Sequence, residues 1–190
     1  GNLSITGTTT GTGSFTDNNN SGIDTFTGNV NLTGAFTTSS VTTSSNTIFQ
    51  GGITSSGASF TAGGATFNTG SQSITGTTNA SFFNTVIVVA GITVTNSNTT
   101  SVTMSNSAAG TLQGAGTWTQ GANSTLIYYG SNIAISTFNA SNSGNTVNYN
   151  SSAGSQTIFN PSASTYYHLT LSGAGNQTKT LLANTIVSGN

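Results

Sequence analysis

Apolar residues in this chain come in short alternating patches, and that pattern restricts the fold more than any other feature. Examples are Leu3-Ser4-Ile5, Val30-Asn31-Leu32, Ile92-Thr93-Val94, Val102-Thr103-Met104, Ile133-Ala134-Ile135, Val147-Asn148-Tyr149 and Leu169-Thr170-Leu171. A period of two sends one side chain in and the next one out, as a half-buried strand requires. No run follows the i, i+3, i+4, i+7 spacing of an amphipathic helix. Thr, Val, Ile, Phe and Tyr favour strands, and Glu, Lys and Leu helix formers are scarce. The patches lie roughly ten residues apart with Gly, Ser and Asn between them, which predicts an all-β chain built as a sandwich, a barrel or a solenoid.

Two observations favour a solenoid. No Asn or Asp is followed by Gly, yet Asn-Gly and Asp-Gly are the favoured two-residue hairpin turns. Internal repeats are also present. Ser4-Ile5-Thr6-Gly7-Thr8-Thr9 returns as Ser73-Ile74-Thr75-Gly76-Thr77-Thr78, and the pattern of Gly1 to Gly7 returns in Gly28 to Gly34. Gly70-Ser71-Gln72-Ser73-Ile74 leads to Phe82-Phe83, and Gly154-Ser155-Gln156-Thr157-Ile158 leads at the same distance to Tyr166-Tyr167. These blocks lie 84 residues apart, which reads as four coils of about 21 residues. A single coil cannot bury its own apolar face, whereas stacked coils can. The expected fold is a right-handed parallel β-helix of roughly nine coils forming one domain over residues 1–190, with Phe82, Phe83, Tyr166 and Tyr167 as repeat core aromatics. A β-sandwich fibre subunit is the alternative.

Composition then excludes several functions. The only charged side chains are Asp17, Asp24 and Lys179, and there is no Cys and one His, His168. One cation cannot supply a nucleic-acid footprint. Zinc and thiol chemistry lack their ligands, and no apolar run approaches the roughly 18 residues of a membrane span. The expectation is no enzyme, no cofactor, no metal, no nucleic-acid partner and no membrane insertion, because catalysis rests on perturbed titratable groups in a cleft. Asp17 and Asp24 flank Asn18-Asn19-Asn20 and read as part of a solvated loop, with a weak cation contact as the sharper alternative. His168 falls where the other repeat has Asn84, so a polar residue suffices there. Lys179 reads as a surface charge. Trp118 and Tyr128-Tyr129 read as core, with a sugar platform as the alternative. Thr-x-Thr pairs at Thr25, Thr93, Thr117 and Thr178 are too irregularly spaced for an ice-binding face, the weakest of the functional alternatives.

Residues Asn145 to Leu182 resemble repeats of very large secreted bacterial proteins. The resemblance rests on Asn145-Thr146-Val147-Asn148-Tyr149-Asn150, Gly154-Ser155-Gln156-Thr157-Ile158, Tyr166 to Gly175 and Thr178-Lys179-Thr180-Leu181, with Gly116 to Leu126 of the same kind. Such arrays are similar to filamentous-haemagglutinin and autotransporter passengers. The resemblance implies a right-handed β-helix acting as a surface fibre or adhesin. An extracellular or cell-surface location is expected, and surface glycans are a further expected partner.

The termini complete the expectation. Asn184 to Asn190 closes the chain with Ile186, Val187 and a Gly189-Asn190 corner, and Gly1-Asn2 opens it ahead of Leu3 and Ile5. Placed end to end they read as one coil, like Gly28-Asn29 ahead of Val30 and Leu32. Neither end carries a terminal helix, a charged coil or a Pro that would blunt an open edge. The expected partner is therefore the chain itself, stacked head to tail as subunits or tandem segments of an extracellular filament or stalk.

Overall fold

A computed structural model describes residues 2–18, 22–38, 46–104 and 111–189. The chain winds as a parallel β-solenoid with three sides. The first turn is β1 (Leu3–Ile5), β2 (Thr9–Gly11) and β3 (Phe15–Asp17), and the second is β4 (Asp24–Phe26), β5 (Val30–Leu32) and β6 (Ala35–Thr38). The third is β7 (Asn46–Phe49), β8 (Ile53–Ser55) and β9 (Ser59–Ala62), and the fourth β10 (Gly64–Phe67), β11 (Gln72–Gly76) and β12 (Ala80–Phe82). The fifth is β13 (Val86–Val88), β14 (Thr93–Asn96) and β15 (Val102–Met104). In the sixth and seventh, β16 (Leu112–Gln120) and β18 (Ala134–Asn139) each bend round the first corner to form two sides, followed by β17 (Thr125–Tyr128) and β19 (Thr146–Tyr149). The eighth is β20 (Gln156–Ile158), β21 (Thr165–Tyr166) and β22 (His168–Leu171), and β23 (Lys179–Leu181) with β24 (Ile186–Val187) forms two sides of a ninth. The expected nine coils are thus eight complete turns and two thirds of another.

Each side is a ladder of strands from successive turns, all in parallel register. Ladder 3, from β3 to β22, pairs without interruption through eight turns. Turn length varies from 18 residues, at Thr47↔Ala65, to 26, at Val86↔Leu112. Strand positions are therefore fixed by the ladders, while the corners absorb the difference in length.

The core is a column of stacked side chains. Phe26, Phe49 and Phe67 are in register on ladder 1, and Phe15, Phe36 and Phe60 on ladder 3. The two columns touch: Phe36 stacks on Phe60 at 4.6 Å between centroids and meets Phe26 edge-on at 5.3 Å. Like residues fall on like because a turn adds about 4.8 Å, the distance between paired strands. Beyond the fifth turn the column continues as Trp118, Tyr128, Phe138, Tyr149 and Tyr166, all fully buried. Only one residue of each aromatic pair joins it. Phe82 and Tyr166 are buried, whereas Phe83 and Tyr167 are half-buried, because alternation turns neighbours to opposite sides.

Corners are closed by small residues and amides. At the first corner Gly28 lies on Gly7 and Gly51 on Gly28, so closely that a Cβ on either would stand 2.3 Å from the backbone carbon below it. The bend of β16 contains Gly114 at φ +118°, a left-handed conformation open to glycine. Buried glutamines serve one corner of each kind. Gln72 bonds Phe49 O at 2.8 Å and accepts from Gly52 N, and Gln156 bonds Gly130 O at 2.7 Å and accepts from Ser151 N. Gln120 accepts from the Trp118 indole at 2.7 Å.

The repeats legible in the sequence do not mark whole turns. Gln72 opens a strand on ladder 2, but Gln156 opens one on ladder 1. The 84-residue separation is therefore three and two-thirds turns, not four. Leu3 and Ile5 lie on ladder 1 while Val30 and Leu32, their counterparts, lie on ladder 2. Ser4-Ile5 and Ser73-Ile74 differ in the same way. The repeating unit is one side with its corner, and any of the three sides can use it.

Candidate functional site

Among the described residues, strands of the first and last turns pair on one side only, β1 with β4, β23 with β20 and β24 with β21. The side chains there are also the apolar ones left in solvent. Leu181, Leu182, Ile186 and Val187 are 50, 73, 59 and 48% exposed. Of the eight large hydrophobics exposed among the described residues, seven lie in the first two or last two turns, and Val89 is the exception. Clustering at the ends rather than along the walls follows from the architecture, since a wall residue's apolar face is covered by the turns on either side.

Of the expected junction residues, Leu3 and Ile5 lie on β1, with Leu3 exposed and Ile5 packed against the core. Asn2 accepts a hydrogen bond from Ile23 N at 3.1 Å and so ties the entering chain to the second turn. Ile186 and Val187 form β24, and Gly189 N donates to Tyr167 O at 2.8 Å. Gly1 and Asn190 lie outside the described residues. The third side of the ninth turn, above β22, is a cleft of about 320 Å³ lined by His168, Leu169, Thr170, Val187 and Gly189.

Asp17 and Asp24 are not on a solvated loop. They stand on β3 and β4 with side chains on the core side of the alternation, and Asp24 is only 5% exposed. Burial, then the hydrogen bond and charge of Asp17, push the Asp24 carboxyl up to about 6, while a backbone hydrogen bond from Leu3 acts the other way. The sequence separates them by seven residues, and the corner between the first two turns folds them back together. Lys179 is likewise more than a surface charge: its ammonium donates to Ser151 O at 3.1 Å and to Gln156 Oε1, and burial lowers its pKa. Trp118 is fully buried and offers no sugar platform. His168 lies on ladder 3, edge-on to Tyr167 at 4.7 Å.

The structure also brings together groups that the sequence leaves scattered. Thr16, Thr37, Thr61, Ser81 and Thr103 form one outward hydroxyl column on ladder 3. Ser-Phe-Thr at 14–16 and 59–61, with Ala-Phe-Thr at 35–37, was the available signal. Thr93 and Thr95 stack on Thr117 and Thr119. Part of this surface is satisfied internally, as Ser101 and Thr103 both donate to Asn79 Oδ1 at 2.8 and 2.9 Å.

A second group lies where ladders 1 and 2 break. Between β18 and the eighth turn each is reduced to a single bridge, Asn132↔Thr157 and Ala140↔Tyr166. Tyrosine hydroxyls replace the missing ladder. Phe159 N donates to the Tyr149 hydroxyl at 3.1 Å, the Tyr149 and Tyr166 hydroxyls bond at 3.0 Å, and Tyr166 donates to Phe159 O at 2.7 Å. Proton direction around this ring runs from Phe159 N–H through Tyr149 and Tyr166 to Phe159 O. An uncharged groove of about 640 Å³, lined by Ile133, Phe159 and Leu182 among others, opens at the same break.

Among the described residues no group of three or more metal-ligating side chains occurs, and no helix is long and apolar enough to cross a membrane. No protein-family model matches the chain, and no curated protein or solved structure matches it significantly.

Proposed function

We propose that the chain is a structural segment of an extracellular filament or cell-surface stalk, extended by adding strands to the ends of the solenoid. One observation carries this reading: the parallel ladders run in register, one of them unbroken through eight turns, so further turns of the same kind can be added along the axis, and the apolar side chains of β23 and β24 stand exposed where such a turn would pack. An unpaired, apolar strand edge is a template for another strand unless it is blunted. Near-zero net charge leaves little repulsion between copies.

The strand that best suits the third side is β1 of the next copy or tandem segment. In a following segment β1, with Leu3 and Ile5, would come next after β24 and lie on β22. Each added segment would then be rotated by one side. The chain makes the same shift internally, where its repeats move from ladder to ladder. Surface location is supported by the resemblance to secreted β-helical passengers and by a wall with one Lys and no Arg, which offers trypsin-like proteases a single target.

Electron microscopy of the native material tests the proposal. Filaments with an axial spacing of about 42 Å are expected, from eight and two-thirds turns at about 4.8 Å each. The double variant Leu181→Lys with Ile186→Lys should abolish them. Both side chains are half exposed, so circular dichroism should stay that of a folded β protein. Monodisperse short rods from the native protein would overturn the reading.

A further inference from the structure

We propose that the hollow in the wall at the eighth turn is a binding site for one neutral sugar unit of a glycan. The site belongs to turns seven to nine and does not depend on head-to-tail assembly.

The hollow follows from the way ladder 1 breaks. Asn132↔Thr157 is the single pairing between the seventh and eighth turns on that side, whereas β20 stays paired with β23 as far as Ile158↔Leu181. Past that point the backbone of Phe159 is taken up by tyrosines of the core. Its N–H donates to the Tyr149 hydroxyl at 3.1 Å, and its carbonyl accepts from Tyr166 at 2.7 Å. Pro161 has no N–H to return to a ladder, and Ala163 and Ser164 follow in the left-handed region at φ +57° and +53°. A hollow of about 640 Å³ is left in the wall, lined by Asn132, Ile133, Thr157, Phe159, Asn160 and Leu182 among others.

These groups are held in place before a ligand arrives. The Tyr128 hydroxyl donates to Asn132 O, and Ser131 Oγ donates to Asn132 Oδ1 at 3.1 Å. The Phe159 ring lies edge-on to Phe138 at 5.9 Å. Such preorganisation lowers the ordering cost of binding. Asn132, Asn160 and Leu182 are exposed, so a ligand reaches them without any opening of the wall.

The class of ligand follows by exclusion. No side chain lining the hollow is ionisable, so a charged ligand would lose hydration and gain no opposite charge. A wholly apolar ligand would cover the amides of Asn132 and Asn160 and the hydroxyl of Thr157 and leave them unpaired. An extended peptide pairs through backbone groups, and those of Phe159 are committed to Tyr149 and Tyr166. A neutral pyranose meets each condition. Its hydroxyls donate and accept, as amide and hydroxyl side chains require. Its C–H face is apolar and suits Ile133, Phe159 and Leu182. The volume is that of a small-ligand pocket.

Saturation-transfer NMR on the whole chain tests this. It reads rods and filaments alike, so its outcome is separate from whether copies stack. The probes are methyl glucoside, galactoside and mannoside at millimolar concentration, each beside its uronic acid counterpart. At least one neutral glycoside should receive saturation through its ring C–H protons, and its uronate should bind at least about tenfold more weakly. Asn160→Ala and Leu182→Ala change exposed side chains, so circular dichroism should stay that of the native fold. Each should weaken binding roughly threefold to tenfold, the effect of one hydrogen bond or part of one apolar contact. No transfer to any neutral glycoside, equal or tighter binding of the uronates, or unchanged binding in both variants would overturn the proposal. A capped tetra-alanine peptide is the control for strand pairing. Transfer to it in place of the glycosides would assign the hollow to a peptide partner and likewise overturn the sugar site.

Discussion

Trp118→Ala should lower the stability of the solenoid by about 3–5 kcal/mol, the usual cost of removing a buried large aromatic. The indole is fully buried on the second side of β16. It stands in register between Val94 of the fifth turn and Phe138 of the seventh, so its loss removes packing on both sides at once. It also deprives Gln120 of its shortest partner. Gln120 Oε1 would keep only the longer bond from Asn96 Nδ2 at 3.3 Å, and Gln120 Nε2 its bond to Ser124 Oγ at 3.4 Å. Trp118→Phe restores most of the volume without the donor, and its smaller loss separates packing from hydrogen bonding. Each turn contacts only its neighbours, so the defect should also weaken the coupling between the two halves. Denaturant unfolding is the measurement. The alanine variant should show a lower midpoint and a broadened or split transition, whereas an unchanged midpoint would mean that the sixth turn is not packed as described.

Tyr149→Phe should cost about 1–3 kcal/mol, although it removes a single oxygen atom. The loss leaves the half-buried Phe159 N–H without its acceptor, and a polar group left unsatisfied away from water carries a penalty of up to that size. Tyr166→Phe should behave alike, because Phe159 O then loses its donor and Tyr149 its acceptor. Substituting both breaks the same ring, so the double variant should cost less than the sum of the singles. Phe82, with a phenyl ring in an unbroken part of the column, is the contrast. The ladder there satisfies the backbone and no hydroxyl is required.

The same tyrosines predict alkaline sensitivity. Burial pushes the Tyr149 hydroxyl up to about 12, and burial together with Tyr149 raises Tyr166 further. A raised acid stabilises the fold fully below its unfolded value, about 10, and this contribution is lost as pH rises through the folded value. Stability measured from pH 9 to 12 should therefore fall, and the double phenylalanine variant should show a shallower decline.

Much of the fold was legible locally. Alternation at Leu3-Ser4-Ile5 or Val147-Asn148-Tyr149 marks a strand and its inward side chains, because a pleated backbone admits no other period. Scarcity of hairpin dipeptides pointed to parallel coils. Side chains at the ends were named from residue type alone, since Leu3, Ile186 and Val187 lie in strands wherever the turns are drawn. The period was harder to extract. Turns of 18 to 26 residues erase a fixed spacing, and repeated phrases such as Gly-Ser-Gln recur on different sides.

Asp17 and Asp24 show the limit most clearly. Flanking asparagines suggest a solvated loop, and nothing in the local sequence reports that the corner folds the two carboxyls inward beneath Thr38 and Thr47. Lys179 is a similar case, because its partners Ser151 and Gln156 lie 28 and 23 residues away. The sequence by itself determined what is periodic at the scale of a strand: all-β structure, short sides, small-residue corners and a nearly uncharged wall. Only the tertiary structure decided which side each strand occupies, which aromatic of a pair enters the column and which polar groups meet. Those outcomes depend on register between turns about twenty residues apart, and register is fixed by stacking and backbone pairing rather than by any local preference.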